Sequence, residues 1–442
     1  MTQKTENYWL FNAPVSKAIW HMAIPMMLGM SVNMIYNITD TFFIGKLNDS
    51  SALAAMTLLL PFMTILMAIG NLFGTGGSTL FSRLLGENNT DKTRQSSATT
   101  FWMAVIFGLL ATIISVSFSG TISHLIGADH NTFAYVKQYI LFYGLGSPFV
   151  IANFTLEQLI RGEGESVQSM IGMVISVVLN IVLDPIFMFS FKLSIGGAAL
   201  ATVIGNMAAV IYYVICIKRA GNQITLSPKY FTIESTMLKQ IFSVGFSAML
   251  LDVLLIISSL MFNYYAVKYG DYVLAGFGIS QKLVQIVDLV GMGLYMGVIP
   301  LIAVAHGAKD DIRKNEIIKK TAIYLGILIT GLVFIMLLFK ANIITIFSHN
   351  PQVIQIGKYI LKVQLISSFF AGGAGLLTGI FQAEGKGRPA VIMSLMRGII
   401  VIPALMIGDR FFKVDGVVFS LLVAEAVACL TGLVFYIQNL KK

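Results

Sequence analysis

The chain has 442 residues, of which 56% are hydrophobic and only 12% charged, and its mean hydropathy is +0.81. Soluble domains carry about a quarter charged residues, so this composition excludes a soluble globular protein and points to an integral membrane protein. The net charge of +9, from 30 basic and 21 acidic residues, then reports basic cytoplasmic loops rather than a nucleic-acid partner.

The apolar segments run past the roughly 18 residues that mark a membrane helix, which excludes the alternating strands of an outer-membrane barrel. The polar start, MTQKTENYWLFNAPVSK, offers no small-residue cleavage site, so no removable leader is expected. In chain order, twelve spans are predicted at 16–44, 52–80, 95–118, 132–158, 167–189, 197–217, 238–266, 273–303, 318–339, 353–380, 389–408 and 415–437. Several exceed the ~20 residues a bilayer needs, which implies tilt or extension beyond it. With the N-terminus inside, the inner segments hold nineteen Lys and Arg against six in the outer loops. That asymmetry predicts that both termini are cytoplasmic.

The sequence repeats at half its length. Ser82-Arg-Leu-Leu-Gly86-Glu-Asn-Asn answers Ala303-Val-Ala-His-Gly307-Ala-Lys-Asp, and Arg161-Gly-Glu163-Gly164 answers Gln382-Ala-Glu384-Gly385. Lys137-Gln-Tyr-Ile-Leu141 answers Lys358-Tyr-Ile-Leu361, and Ile195-Gly-Gly-Ala198 answers Val414-Asp-Gly-Val417. Matches in one order with one offset mark an internal duplication. An even number of spans per repeat gives both halves the same orientation. The expected fold is therefore an all-α integral membrane protein. Its twelve transmembrane helices form two pseudo-symmetric six-helix lobes, parallel repeats around a central cavity. An N-terminal lobe at 1–217 and a C-terminal lobe at 239–442 flank a cytoplasmic linker at 218–238.

Ionisable residues inside spans are costly and mark function. The acids here are Asp40, Glu157, Asp184, Asp252, Asp288 and Glu425, and the bases Lys282 and Arg397, so the interior should attract cations. Asn33, Asn37 and Asp40 fall at i, i+4 and i+7 on one helix face, with Tyr36 beside them. At 1.5 Å per residue, Asp40 and Thr202 lie ~9 Å and Asp184 ~12 Å below the outer edge. Asn180 and Asn206 are each one turn further in. Two carboxylates with amide and hydroxyl oxygens at one depth suit H⁺ or Na⁺. The plainer alternative is four separate polar groups at helix ends. Glu157 has Arg161 at i+4: either an interfacial ion pair or a cavity acid for a cationic ligand. Arg397 can pair with one of the acids and lock the second bundle, or Asp252 or Asp288 stays unpaired and meets substrate or a coupling ion. Pro25 frees a backbone carbonyl and allows a kink, static or mobile.

The 23 Met and 31 Phe supply adaptable apolar surface. The glycines of Gly70-Asn-Leu-Phe-Gly74-Thr-Gly76-Gly77 permit close helix approach. No GK[ST] follows them, and no HExxH, GxSxG or DDxxD occurs, so ATP binding and membrane-enzyme chemistry have little support. Cys216 and Cys429 lie in different apolar segments, which disfavours a disulfide or metal role.

The residues Ile24-Pro25, Asp40-Thr-Phe-Phe-Ile-Gly45 and Asn180-Ile-Val-Leu-Asp184-Pro185, in two parallel six-span halves, resemble the multidrug and toxic compound extrusion (MATE) transporters. Leu60-Pro61 with Gly70-Asn-Leu-Phe-Gly74 and Leu156-Glu157-Gln158 is similar to the MepA branch of that family. The resemblance implies a secondary multidrug exporter of the cell membrane, a monomer and not an enzyme. It would exchange lipophilic, mostly cationic compounds for H⁺ or Na⁺ by alternating access, with no cofactor beyond that ion. It assigns the coupling ion, Na⁺ included, to Asp40, Asn180, Asp184 and Thr202, and the helix bend to Pro25. Asn33, Tyr36, Asn37, Phe154, Glu157, Gln158, Asn206, Asp252 and Asp288 are the expected substrate-cavity residues. In the second half the position answering Asp40 is near Phe262, so a second-lobe ion site would need Asp252 or Asp288. A lipid-linked glycan flippase of the wider superfamily is the alternative. It needs a basic cavity, which the acid excess opposes.

Overall fold

The computed structural model describes residues 8–47, 49–219 and 223–440, and of Asn37 and Leu440 the backbone alone. The N-terminal residues 1–7 and Lys441 and Lys442, which entered the orientation argument, lie outside the described residues. The described chain is helical. In the first half run α1 (Val15–Lys46), α2 (Ser50–Gly86), α3 (Thr90–Ser117), the short α4 (Ser119–Leu125), α5 (Phe133–Leu145), α6 (Ser147–Gly162), α7 (Ser166–Pro185) and α8 (Ser194–Arg219). The second half holds α9 (Ser235–Val267), α10 (Asp271–Gly307), α11 (Asp311–Phe347), α12 (Pro351–Ala383), α13 (Gly387–Ile399) and α14 (Val401–Leu440).

Helix starts follow their caps. Asp49 accepts from the Ser51 and Ala52 amides at 2.9 and 3.2 Å, and Asn89 and Asp310 cap α3 and α11 in the same way. The turns carry the duplication in their backbone. Left-handed residues recur as Asn88 and Lys309, Gly164 and Gly385, and Lys192 and Lys413, each pair about 220 residues apart. For the four non-glycines this conformation is uncommon, so its recurrence at one spacing reflects a shared fold rather than chance.

Four predicted spans differ in detail. The fourth is not one helix: α5 and α6 meet at 56° around Gly146. Pro148 lacks the N–H that would continue the ladder, and a Cβ on Gly146 would strike Val203 of α8. The fifth, predicted over 167–189, is α-helical as far as Pro185 and finishes as a π-helical turn, Ile186–Ser190. The last two spans follow one another inside Gly387–Leu440, broken by the left-handed Lys413. There Gly408 and Gly416 face each other so closely that neither site admits a side chain. Counting the bent pair as one span and dividing at Lys413 gives twelve.

Lys17, Arg83, Lys92, Arg161, Lys239 and Lys386 gather at one end of the bundle, the basic end. There the two lobes meet backbone to backbone. A Cβ on Gly76 of α2 would collide with the Ile241 carbonyl of α9, and one on Gly245 with the Leu72 carbonyl. Gly86 and Gly307 form the same crossing between α2 and α10, and Gly293 and Gly297 bring α10 onto α1 at Met22 to Met27. Arg83 reaches across to the Gln382 and Ala383 carbonyls, 3.4 Å each, and to Gln240 Oε1 at 3.2 Å. Tyr324 donates to Ser16 at 3.0 Å. At the opposite end the second lobe closes on its own core of Phe262, Phe277, Val363, Val401, Leu405 and Val417. The lobes thus touch at the basic end and part towards the other, leaving a cleft between them. Replacing Gly76 by Val forces the crossing apart. The expected cost is about 1–3 kcal/mol of stability, read as a lower unfolding midpoint.

The stretch from Gln223 to Glu234 is docked rather than loose. Trp102 Nε1 donates to the Leu226 carbonyl at 3.0 Å, Thr99 bonds Thr232, and Glu163 accepts from the Gln223 amide at 2.5 Å.

Candidate functional site

The site is built where α1, α7 and α8 meet in the half of the first lobe away from the basic end. Asn180, Asp184 and Thr202, from α7 and α8, lie in direct hydrogen-bonding range. With the Asn180 nitrogen towards Asp184, it donates to Oδ2 at 2.9 Å, while its oxygen accepts from the Thr202 amide at 3.1 Å and hydroxyl at 3.0 Å. Tyr36 of α1 brings its hydroxyl to 3.5 Å from Thr202 Oγ1. The Thr202 hydroxyl has one proton and also lies 2.9 Å from the Ala198 carbonyl, so it donates either there or to Asn180. The spacing of four residues between Asn180 and Asp184 is one helical turn, so one face of α7 presents both groups to α8.

Asp184 is fully buried, and its Oδ1 has no hydrogen-bond partner among the described residues. Buried polar atoms are almost always satisfied, and leaving a charged one unmet is costly. Asp40 of α1 is half-buried and lies close enough for the two carboxylates to act on each other electrostatically. Tyr36 and Tyr139 feel the same charges. Two carboxylates, an amide and a hydroxyl offer hard oxygen ligands, with the Asp184 Oδ1 lone pairs free to accept. That donor set fits H⁺ held between the acids, or Na⁺.

The other candidates fall in three places. Asn206 is buried next to this cluster, donating to the Thr202 carbonyl at 2.7 Å and accepting from Asn153 at 2.7 Å. Asn33 is half-buried on the same helix face as Tyr36, and Phe154 backs onto Gly70. The side chain of Asn37 lies outside the described residues. Gln158 forms the middle of a polar chain that crosses the lobes. Thr75 donates to Gln158 at 2.8 Å, Gln158 to Asn71 at 2.8 Å, and Asn71 to Asp252 Oδ2 at 2.8 Å. Asp252 is therefore not unpartnered: an amide of the first lobe holds it at the floor of the cleft. Glu157 is buried against Arg161, Nη1 to Oε1 at 3.3 Å, so it stands as an ion pair rather than a free cavity acid.

In the second lobe Arg397 pairs with Glu425 at 3.0 Å, and Asp288 lies beside them next to Ser368. Asp288 itself is exposed, at the end of a polar stripe on α10 with Gln281, Lys282 and Gln285. Four polar side chains on one face inside a membrane protein belong against water, here the cleft. Arg161 and Arg397 are thus neutralised by glutamates, while the third buried arginine, Arg83, is held by carbonyl and amide oxygens. The interior charges left without an ionic partner among the described residues are Asp40, Asp184, Asp252 and Asp288 against Lys282. Pro25 lies within the continuous α1, at the stretch Met22 to Met27 that α10 packs on.

Sequence reasoning missed Tyr139, Tyr143 and Asn71. Tyr139 and Tyr143 are buried with rings 5.6 Å apart, and the Tyr139 hydroxyl donates to Met63 Sδ at 3.4 Å. The signal was there: a tyrosine inside an apolar span must place its hydroxyl somewhere. Asn71 sat within a glycine run that drew attention to packing alone.

Two duplicated six-helix lobes, a cleft between them and buried acids in one lobe define a polytopic membrane transporter, not an enzyme. The family model MatE matches residues 25–186 and again 247–407. The multidrug export protein MepA of Staphylococcus saprophyticus is 37% identical over 426 residues, covering 96% of this chain and 94% of that one. A structure described as the outward-facing conformation of a multidrug resistance MATE family transporter superposes with a TM-score of 0.92 at 20% identity, covering 98% and 97% of the two chains. A superfamily transporter from Pyrococcus furiosus, described as having a binding pocket of reverse polarity, gives 0.90 at 22% identity over 100% of both. The chain belongs to the MATE family, in its MepA-like branch.

The two family matches put Phe262, Val401 and Leu405 opposite Asp40, Asn180 and Asp184. All three are buried in the apolar core of the second lobe, Phe262 edge-on to Phe277 at 4.4 Å. The polar cluster is thus a feature of one lobe only.

Proposed function

We propose that this protein exports lipophilic, mostly cationic compounds across the cell membrane in exchange for H⁺ or Na⁺. The observation that carries the reading is the buried Asp184 Oδ1, without a hydrogen-bond partner among the described residues, with Asp40 near enough to act on that carboxylate. The coupling ion binds at Asp40, Asn180, Asp184 and Thr202. The substrate lies in the cleft between the lobes, 1–217 and 239–442, which the segment 218–238 joins. Asn33, Tyr36, Asn37, Phe154, Gln158, Asn206, Asp252 and Asp288 line its path, and the Glu157–Arg161 pair braces it from below. The basic end is cytoplasmic, as are both termini, which makes the described conformation outward-facing. Closure of the far end and opening of the Gly76–Gly245 crossing would complete alternating access in a monomer.

The acid excess supports a cationic substrate, and the name of the MepA relatives supports drug export. One charge entering through 100 mV supplies about 2.3 kcal/mol, enough for about a fifty-fold gradient of a neutral substrate, whereas a departing monocation cancels it and draws on the ion's own concentration gradient or a second ion. The test is ethidium transport in vesicles holding the purified chain, with H⁺ and Na⁺ gradients imposed separately. Export driven by one gradient and absent without either supports the reading. Transport indifferent to both defeats it.

A further inference from the structure

Near the basic end, α9 and α13 part to leave an open groove of about 570 Å³ on the outer surface of the second lobe. Its walls are apolar, with Phe242 and Phe246 from α9 and Val391 and Ile392 from α13. Lys239 and Arg388 stand at its mouth, both exposed. Neither joins an ion pair among the described residues. The acid one turn before Arg388, Glu384, is already held by Lys386 at 2.7 Å and Lys314 at 3.7 Å.

The two helix faces have the same order. Lys239, Phe242 and Phe246 fall at i, i+3 and i+7, and Arg388, Val391 and Ile392 at i, i+3 and i+4. Each stripe begins with a cation at the bilayer's edge and turns apolar towards its interior, over ~10 Å on α9 and ~6 Å on α13. The floor is closed where Gly387 crosses Ser243 without room for a side chain. Phe242 leans on Phe73 and Phe107 of the first lobe, with ring centroids 5.6 and 6.3 Å away, so the groove abuts the joint between the lobes.

We propose that this groove holds one anionic phospholipid. Its phosphate sits between Lys239 and Arg388 and an acyl chain lies along Phe242, Phe246, Val391 and Ile392. Two unpaired cations at the mouth select a net negative headgroup, since a zwitterionic lipid brings its own cation into the same place. A free phosphate would satisfy the mouth and leave the apolar length unfilled, so the lipid is the occupant the shape fits. The inference stands apart from the export reading, because it concerns the outer surface and not the cleft.

Native mass spectrometry of the full chain in detergent, titrated with dioleoyl-phosphatidylglycerol, tests it. Wild type should retain one lipid that Lys239→Gln/Arg388→Gln binds about thirtyfold more weakly. Lys229→Gln/Lys319→Gln removes the same charge elsewhere at the basic end and should bind as wild type. Val391→Trp fills the groove with its cations intact and should also lose the lipid. Equal retention by the groove and control variants overturns the proposal. So does equal retention of phosphatidylcholine, or full competition by glycerol phosphate, which would make the mouth a simple anion site.

Discussion

Asp184→Asn abolishes gradient-driven ethidium export while the protein folds and reaches the membrane as before. The asparagine keeps the shape of the side chain and can still bond Asn180, which now touches Oδ2 at 2.9 Å. What it loses is the charge, and with it the ability to take up and release a cation. Stability should not fall, because the variant removes a buried carboxylate oxygen that no group among the described residues satisfies. Asp40→Asn removes the second carboxylate and should give the same phenotype. The check is a vesicle efflux assay run beside a thermal melt. Export at the wild-type rate by either variant would take the coupling role away from this cluster.

Glu157→Gln has the opposite signature. Glu157 and Arg161 form a buried ion pair at 3.3 Å, and the other polar contact of Arg161 Nη1 is Met26 Sδ at 3.2 Å. Neutralising the glutamate strands a buried guanidinium that a thioether cannot compensate. Breaking such a pair by removing one partner costs about 3–5 kcal/mol. The expected result is a large drop in unfolding midpoint and in the amount of protein in the membrane. Replacing both partners with apolar residues of like volume, Glu157→Met with Arg161→Leu, should restore most of the loss. Unchanged stability with export of dications alone impaired would return Glu157 to the role of a cavity acid.

The fold was legible because membrane helices announce themselves by length, and because the repeat leaves its marks in turns. The Gly86 and Gly307 turns and the Gly164 and Gly385 turns carry the offset in their residues alone. Depth along a helix is simple arithmetic, and it placed Asn180, Asp184 and Thr202 where they meet. Rotation about the helix axis is not fixed by that arithmetic. It could not tell that the Glu157 carboxylate turns to Arg161, or that Asp184 is fully buried while Asp288 is exposed. Nor does any local pattern connect Asn71 with Asp252. They are 181 residues apart, and their bond exists only because α2 and α9 cross at Gly76 and Gly245. The bend in the fourth span was written in Gly146-Ser147-Pro148, a helix breaker inside an apolar run that hydropathy alone passes over.

The asymmetry between the lobes bears on mechanism. Where the first lobe holds Asp40, Asn180 and Asp184, the second has Phe262, Val401 and Leu405 in a dry core. Its own acids are held by Asn71 or clustered with Arg397 and Glu425. On this account ion binding reshapes the first lobe, and the second follows through the crossings at the basic end.

Counting the ion displaced when substrate binds is the most direct test. Ethidium is added to the purified protein in weakly buffered solution, and released protons or radioactive Na⁺ are measured. Binding linkage requires that a substrate which expels the ion do so in proportion to its own occupancy. The account predicts about one ion released per substrate bound by wild type, and none by Asp40→Asn/Asp184→Asn. Substrate binding with no ion released by wild type, or equal release by the double variant, would contradict it.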